Sequence, residues 1–349
     1  MPKGAGIGRE VSGQMATIVD VARRAGVSTS TVSHVINKTR YVSAEVTARV
    51  YQAIEELDYK PNAVARSLRI RESRIIGVVV SDITNPFFTA SVRAIEEKAS
   101  EHGYSIILCD TGEDPARELR YLNILLRRQV DGIIVAPSHE NAPVIESIVQ
   151  AGTPVVLLDR EVTSLPVDVV KCDNESGSLQ AVSYLIRCGH RRIGIVAGRI
   201  DVSTGAQRLA GYKKALEQHG IGVLPELIKV GDYTFDSGYK KTQELLSLEP
   251  RPTALFVCNN QMSLGAVMAI RDAGLTIPGD VSVIGYDDSE WARLMEPPLT
   301  VVAQPVHELG TRAAEVLIRR IQGTDSVEPS LLTLPVDFRE RGSCKTLRH

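Results

Sequence analysis

Residues 17–69 read TIVDVARRAGVSTSTVSHVINKTRYVSAEVTARVYQAIEELDYKPNAVARSLR, and this stretch decides how the chain is organised. Thr17 to Asp20 has the spacing of a capping box, in which side chain and backbone satisfy each other at a helix start. Ile18, Val21, Ala22 and Ala25 then recur at helical spacing and form one apolar face. Gly26 predicts the stop, because the left-handed position after a helix suits glycine. Val27 plugs the turn, and Ser28 is placed to cap a second helix running to about Asn37. Val32, Val35 and Ile36 face inward, which leaves Thr29, Ser30, Ser33, His34 and Asn37 outside. Ser43 can cap a third helix, whose Val46, Val50, Ala53, Ile54 and Leu57 close the small core.

That outer face hydrogen-bonds throughout and carries no acid. A helix of this kind is what the major groove of DNA admits. The pattern alone fits a three-helix surface domain with no ligand equally well, but the charge argues against that. Residues 1–71 hold 11 Lys and Arg against 6 Asp and Glu, and residues 72–349 hold 29 against 36. The overall charge of −2 therefore hides a basic head on an acidic body, and a basic head suits phosphate contact.

Pro61 marks a break and Asn62 can cap a helix over Ala63–Arg69. So short a helix is unstable alone in water, and its formation against DNA and a second copy is one reading. Leu68, flanked by Arg66 and Arg69, could then wedge between base steps in the minor groove. A plain linker with Leu68 packed on the body fits the composition as well.

VSTSTVSHVINKTRYVS and YKPNAVARSLR closely resemble the head of the LacI/GalR family of bacterial transcription regulators, especially its ribose- and purine-responsive repressors. The resemblance spans roughly Thr17–Arg341. It implies that Thr29, Ser30 and His34 read bases and that Leu68 is an intercalating hinge residue. The expected DNA-binding set is Thr29, Ser30, His34, Asn37, Asn62, Ala65, Arg66, Leu68 and Arg69.

After Arg74 the chain alternates apolar runs with helical patterns. The runs lie at 75–81, 105–110, 131–137, 154–159, 192–198, 254–259 and 281–287, and helices are expected at 87–101, 115–128, 175–188, 205–219, 261–274 and 305–322. Continuous apolar strands between helices imply parallel sheets covered on both faces. The alternation breaks at 160–173, which reads as a crossing between two similar α/β lobes. The resemblance implies the same α/β fold: an all-α helix-turn-helix head and hinge helix, then a two-lobed body like the sugar-binding proteins of the bacterial periplasm. It also implies three crossings, the later two near 287–304 and 330–335. The expected divisions are a disordered extension at 1–16, a DNA-binding domain at 17–60 and a hinge at 61–73. An effector and dimerisation domain follows at 74–341, with a tail at 342–349.

Ligands of such sheets bind beyond the carboxyl ends of the strands. Ser81 and Asn85 follow the first run, Asp159 and Arg160 the fourth, Asn260 the sixth and Asp287 the seventh. Arg208 and Gln304 fall at comparable places, and Phe87, Phe88 and Tyr233 bring aromatic faces. Asp, Asn and Arg match vicinal sugar hydroxyls with two-pronged hydrogen bonds. Each residue singly has a plainer role, as a helix cap, a loop ion pair or core. The resemblance, carried on NPFF, LDR, CNNQMSLGA, GYD and AQP and more loosely at Arg208 and Tyr233, implies that the set binds a sugar. A pentose, ribose first, is expected, since purine-binding relatives lack the Asp-Arg pair.

Other classes fit less well. The five cysteines show no CxxC pair or metal spacing, so no metal or cofactor is expected. The chain shows no apolar signal-peptide core and no 18-residue apolar run, so no membrane partner is expected and a cytoplasmic location is. A non-regulatory sugar-binding protein would not need the head. An enzyme such as a sugar kinase would need a phosphate-cradling loop that is missing. The expectation is a homodimeric repressor of a near-palindromic operator, controlled by a sugar, with a purine-responsive repressor as the alternative.

Overall fold

A computed structural model describes residues 16–37, 40–59, 72–324 and 328–347. The proposed extension up to Met15, the hinge residues Asn62, Ala65, Arg66, Leu68 and Arg69, and the Asn37 side chain lie outside the described residues. The chain divides into two compact units, Met1–Glu72 and Ser73–His349.

The first unit contains α1 (Ile18–Ala25), α2 (Thr29–Asn37) and α3 (Ala44–Glu56). The capping box is present: Thr17 N–H donates to the Asp20 carboxylate at 3.0 Å, and Asp20 N–H donates to Thr17 Oγ1 at 3.4 Å. Gly26 ends α1 at φ 67°, where a Cβ would be strained. Ser28 Oγ accepts from Thr31 N–H at 3.1 Å. Ser43 makes no side-chain capping bond; Glu45 in the first turn of α3 supplies the favourable charge at that helix end instead. Val21, Ala22, Ala25, Val32, Val35, Val50 and Ala53 form the core, with Val46, Ile54 and Leu57 packed at its edge. Thr29 and Ser30 are exposed, and Ser33 and His34 are half-buried.

The second unit carries two six-stranded sheets. The first has β1 (Ile75–Val80), β2 (Ser105–Asp110), β3 (Gly132–Val135), β4 (Val155–Leu158), β5 (Asp168–Cys172) and β11 (Leu331–Leu334). The second has β6 (Ile193–Ala197), β7 (Ile228–Val230), β8 (Ala254–Val257), β9 (Ser282–Tyr286), β10 (Thr300–Ala303) and β12 (Asp337–Arg339). Their orders, β11-β5-β4-β3-β1-β2 and β12-β10-β9-β8-β6-β7, are the same order with corresponding strands. Pairing is parallel, as between Val78 and Leu108, except that β12 runs antiparallel to β10. Connecting helices are α4 (Pro86–Glu101), α5 (Pro115–Arg127), α6 (Ala142–Gln150), α7 (Asn174–Arg187), α8 (Ser203–Gln218), α9 (Phe235–Leu246), α10 (Asn260–Asp272), α11 (Glu290–Leu294) and α12 (Val306–Gln322). Among the described residues no helix is long and apolar enough to cross a membrane.

The first crossing differs from expectation. Residues 168–172 are not a link but β5, paired with β4 and β11. Its short DVVKC run carries a lysine and lacks the continuous apolar signature of the other strands. The chain changes lobe after Cys172, again between β10 and α12, and last between β11 and β12. Each lobe has its own core: Ile195, Phe256 and Ile284 in the second, and Ile76, Ile134 and Leu317 in the first. Helix α12 lies close against α4. A Cβ on Gly310 would stand 2.3 Å from the Ser91 carbonyl oxygen, so only glycine permits this approach. Residues 342–347 are bonded to the second lobe: Ser343 is fully buried and donates to the Val283 carbonyl.

One ion pair ties the last helix to the first sheet. Arg320 on α12 donates from Nε and Nη2 to Asp168 at 2.7 and 2.9 Å. Ser330 adds its N–H and hydroxyl to the same carboxylate. Breaking such a pair leaves a buried charge uncompensated. Arg320→Met is expected to destabilise this unit by about 3 kcal/mol, read as a lower urea midpoint; an unchanged midpoint would make the pair dispensable.

Candidate ligand-binding site

The carboxyl ends of both sheets' strands border a cavity of about 450 Å³. Asn85 is the N-cap of α4, where Oδ1 accepts from Phe87 N–H at 2.9 Å. Phe87 and Phe88 follow, edge to face at 5.0 Å. Asp159 and Arg160 leave β4, Asp287 leaves β9 and Gln304 leaves β10, while Arg208 reaches in from α8 and Tyr233 precedes α9. All eight of these polar and aromatic positions beyond Asn85 line the cavity, as Asn85 does. Ser81 and Asn260 do not; both are buried. Asp82, Gly112, Glu113, Arg199, Thr204, Asp232, Thr234 and Asn259 also line it and were not anticipated from the sequence. The signal was available, because Glu113 follows β2 and Arg199 follows β6 just as Asp159 follows β4.

The backbone aims these groups. Glu113, Asp159, Tyr233 and Asp287 have φ of 59°, 65°, 72° and 73°, a region that non-glycine residues seldom occupy. Asp159 N–H donates to the Val170 carbonyl and Asp287 N–H to the Val302 carbonyl, each at 2.8 Å. The two aspartates therefore stand at equivalent strand ends of the two lobes. Tyr233 lies against glycine: a Cβ on Gly198 would fall 2.0 Å from its ring. Its hydroxyl meets Thr204 Oγ1 at 3.0 Å.

Side-chain bonds fix the guanidiniums. Arg208 Nε donates to Asn174 Oδ1 at 2.8 Å and Nη1 to the Cys258 carbonyl at 2.6 Å. Its guanidinium also lies 3.7 Å over the Tyr286 ring, a cation–π contact. Arg160 donates from Nη1 to Glu113 at 2.9 Å, and Nη2 bonds the other oxygen of the same carboxylate. Arg199 Nη1 donates to the Glu113 carbonyl at 3.1 Å. Gln304 Nε2 donates to Asp287 at 2.7 Å, and Asn260 Nδ2 donates to Asn85 at 2.8 Å.

Other buried atoms have no protein partner. They include Asp159 Oδ1, Arg160 Nε, Gln304 Oε1, Asn260 Oδ1 and Ser81 Oγ. Buried polar atoms are ordinarily hydrogen-bonded, and three of these five, on Asp159, Arg160 and Gln304, belong to residues that line the cavity. Burial pushes Asp159 up to about 6, against the pull of Arg208 and Arg160. Burial likewise raises Asp287, although Arg208 and the Gln304 bond oppose it. Burial works against the Arg160 charge, but Glu113, Tyr233 and Asp159 together outweigh it, so its charge is held.

The family described as "Bacterial regulatory proteins, lacI family" matches residues 17–62, and a "Periplasmic binding protein-like domain" matches residues 182–344. The ribose operon repressor of Escherichia coli (strain K12) is 41% identical over 330 residues, 94% of this chain and 100% of that protein. The HTH-type transcriptional repressor PurR of Haemophilus influenzae (strain PittEE) is 39% identical over 89% of this chain and 93% of its own length. The structure of the lac repressor dimer bound to operator and the anti-inducer ONPF is 32% identical with a TM-score of 0.84, covering 95% of this chain and 100% of that one.

The raised Asp159 carboxyl has a consequence for stability. The folded state binds its proton more tightly than the unfolded chain, so stability falls as pH rises from about 4 through about 6. Above that range the buried anion is a standing cost on the order of 3 kcal/mol. Asp159→Asn is expected to raise the ligand-free melting temperature at pH 8 and to flatten its decline between pH 4 and 6. A variant that melts lower than the parent at pH 8 would contradict this.

Proposed function

The chain belongs to the LacI family of bacterial regulatory proteins, and on that premise we propose that it is a cytoplasmic repressor whose operator affinity is set by a small sugar, ribose first, bound in the body's cavity. It is a regulator rather than an enzyme, as are its relatives. The observation that carries the effector reading is the set of partnerless buried atoms around Asp159 and Arg160, bordered by Phe87, Phe88 and Tyr233. Sugar hydroxyls donate and accept in adjacent pairs and would satisfy a carboxylate oxygen and a guanidinium N–H together. The aromatic faces would cover the sugar's C–H surface. Five carboxylates (Asp82, Glu113, Asp159, Asp232, Asp287) and three guanidiniums (Arg160, Arg199, Arg208) line the cavity. That excess of acid suits a neutral polyol and disfavours an anion.

In this reading residues 17–60 form the DNA-reading head, with Thr29, Ser30, His34 and Asn37 toward base edges. Residues 61–73 form the hinge, where Asn62, Ala65, Arg66, Leu68 and Arg69 meet the minor groove. Residues 74–341 bind effector and a second copy, flanked by an extension at 1–16 and a tail at 342–349. A homodimer would place two heads on successive half-sites of a near-palindrome. Closing the lobes on sugar would change DNA affinity by a coupling energy of about 1–3 kcal/mol, and DNA would change sugar affinity by the same factor.

Two measurements test the two halves. Calorimetry is expected to show saturable ribose binding, much weaker binding of purine bases, and loss of the ribose signal in Arg160→Ala. Tight hypoxanthine or guanine binding without ribose binding would favour the purine-responsive alternative, which the PurR similarity keeps open. In gel shifts, Leu68→Ala is expected to weaken specific DNA binding at least about tenfold while leaving ribose affinity unchanged. Operator affinity equal to the parent's would remove the wedge from the account.

A further inference from the structure

Glu113 is the cavity residue whose role the sugar reading does not explain. It sits on the turn after β2 with a left-handed backbone, and its carboxylate is held by hydrogen bonds from Arg160. It bonds both terminal nitrogens of Arg160, a guanidinium whose side chain is 5% exposed. Its backbone carbonyl accepts from Arg199 of the opposite lobe, and the Arg199 guanidinium lies 3.7 Å from its carboxylate. The rest of Arg199 is bonded to Asp201. Two arginines from opposite lobes thus converge on one glutamate.

Paired guanidiniums are the usual receptors for phosphate, which they grip in two-pronged fashion. Here the fork of Arg160 is already filled by a carboxylate of the chain itself. Only Nε is left without a partner, enough for a hydroxyl and too little for a phosphate group. A phosphate arriving here would also meet the Glu113 charge directly, and like charges brought together cost affinity. We propose that Glu113 is a specificity-determining residue: by occupying the terminal nitrogens of Arg160 beside Arg199, it excludes phosphorylated sugars and reserves the cavity for neutral ones. This rests on the sugar-effector reading above. The discrimination comes from a repulsive element against the wrong ligand rather than from a contact to the right one.

Calorimetry on the full chain with ribose and with ribose 5-phosphate tests it. The parent is expected to bind ribose and to discriminate against the phosphate. Glu113→Gln keeps the size and the hydrogen-bonding capacity but removes the charge, and should narrow the affinity ratio by at least about tenfold. Glu113→Asp retains the charge and should still reject the phosphate, which separates charge from folding damage. A thermal melt of each variant checks that the body is intact. If the parent binds ribose and Glu113→Gln leaves the ratio unchanged, the proposal is overturned while the effector reading stands. A parent that binds ribose 5-phosphate as tightly as ribose also overturns it. A parent that binds neither overturns the effector reading and this proposal with it.

Discussion

The acid and base crowded at the edge of two sheets is the constraint on which the body depends. Asp159, Arg160, Arg208 and Asp287 are all buried, and charges removed from water are costly unless each finds a partner. The arrangement meets that demand unequally. Arg208 is satisfied by Asn174, a backbone carbonyl and an aromatic face. Arg160 is satisfied in part by Glu113. Asp159 keeps one oxygen without a partner, and burial lifts its carboxyl accordingly. The unsatisfied remainder is local, and it faces a cavity rather than a core.

The likeness of the two lobes gives the site its arrangement. The two sheets share one strand order, and Asp159 and Asp287 end corresponding strands with the same left-handed turn and the same bond to the neighbouring strand. A strained backbone persists only where the surrounding structure imposes it. Here the bond from each aspartate N–H to the next strand holds the turn in place. Two copies of one local solution, set facing each other, give a pair of carboxylates from opposite sides of one cavity.

The parts of this fold that were legible in the sequence are those built from local pattern. The capping box at Thr17, the glycine stop at Gly26 and the long apolar strands such as IIGVVV are visible without tertiary knowledge. The short strands β5, β7, β10, β11 and β12 are not, because each carries a polar or charged residue within three to five positions and so lacks the continuous apolar run by which the equally short β3, β4 and β8 are read. Helix α9 is another case. Its FDSGYKKTQELL pattern is polar, and it packs through Gly238, where a Cβ would fall 2.3 Å from the Met262 carbonyl oxygen. In the site, Ser81 and Asn260 were expected to line the cavity, and their neighbours Asp82 and Asn259 do. Both members of each pair are polar, and successive residues at a strand end point opposite ways, so composition cannot choose between them.

The joint between the lobes is where site and mechanism meet. Each lobe has its own apolar core. Side-chain hydrogen bonds link the lobes: Asn260 to Asn85 at 2.8 Å, Arg199 to the Glu113 carbonyl at 3.1 Å and Gln207 to Glu161 at 2.6 Å. Such bonds each contribute on the order of 1 kcal/mol net, little beside the cores they connect. Their loss would leave both cores untouched. A ligand that bonds to Asp159 and Arg160 in one lobe and to Arg208 and Asp287 in the other adds terms of the same size across the same joint. It needs no distortion of either core to shift the balance between joined and separated lobes, only a difference in its own affinity for the two. A polar joint over separate cores is therefore one whose balance a ligand bound across it could shift.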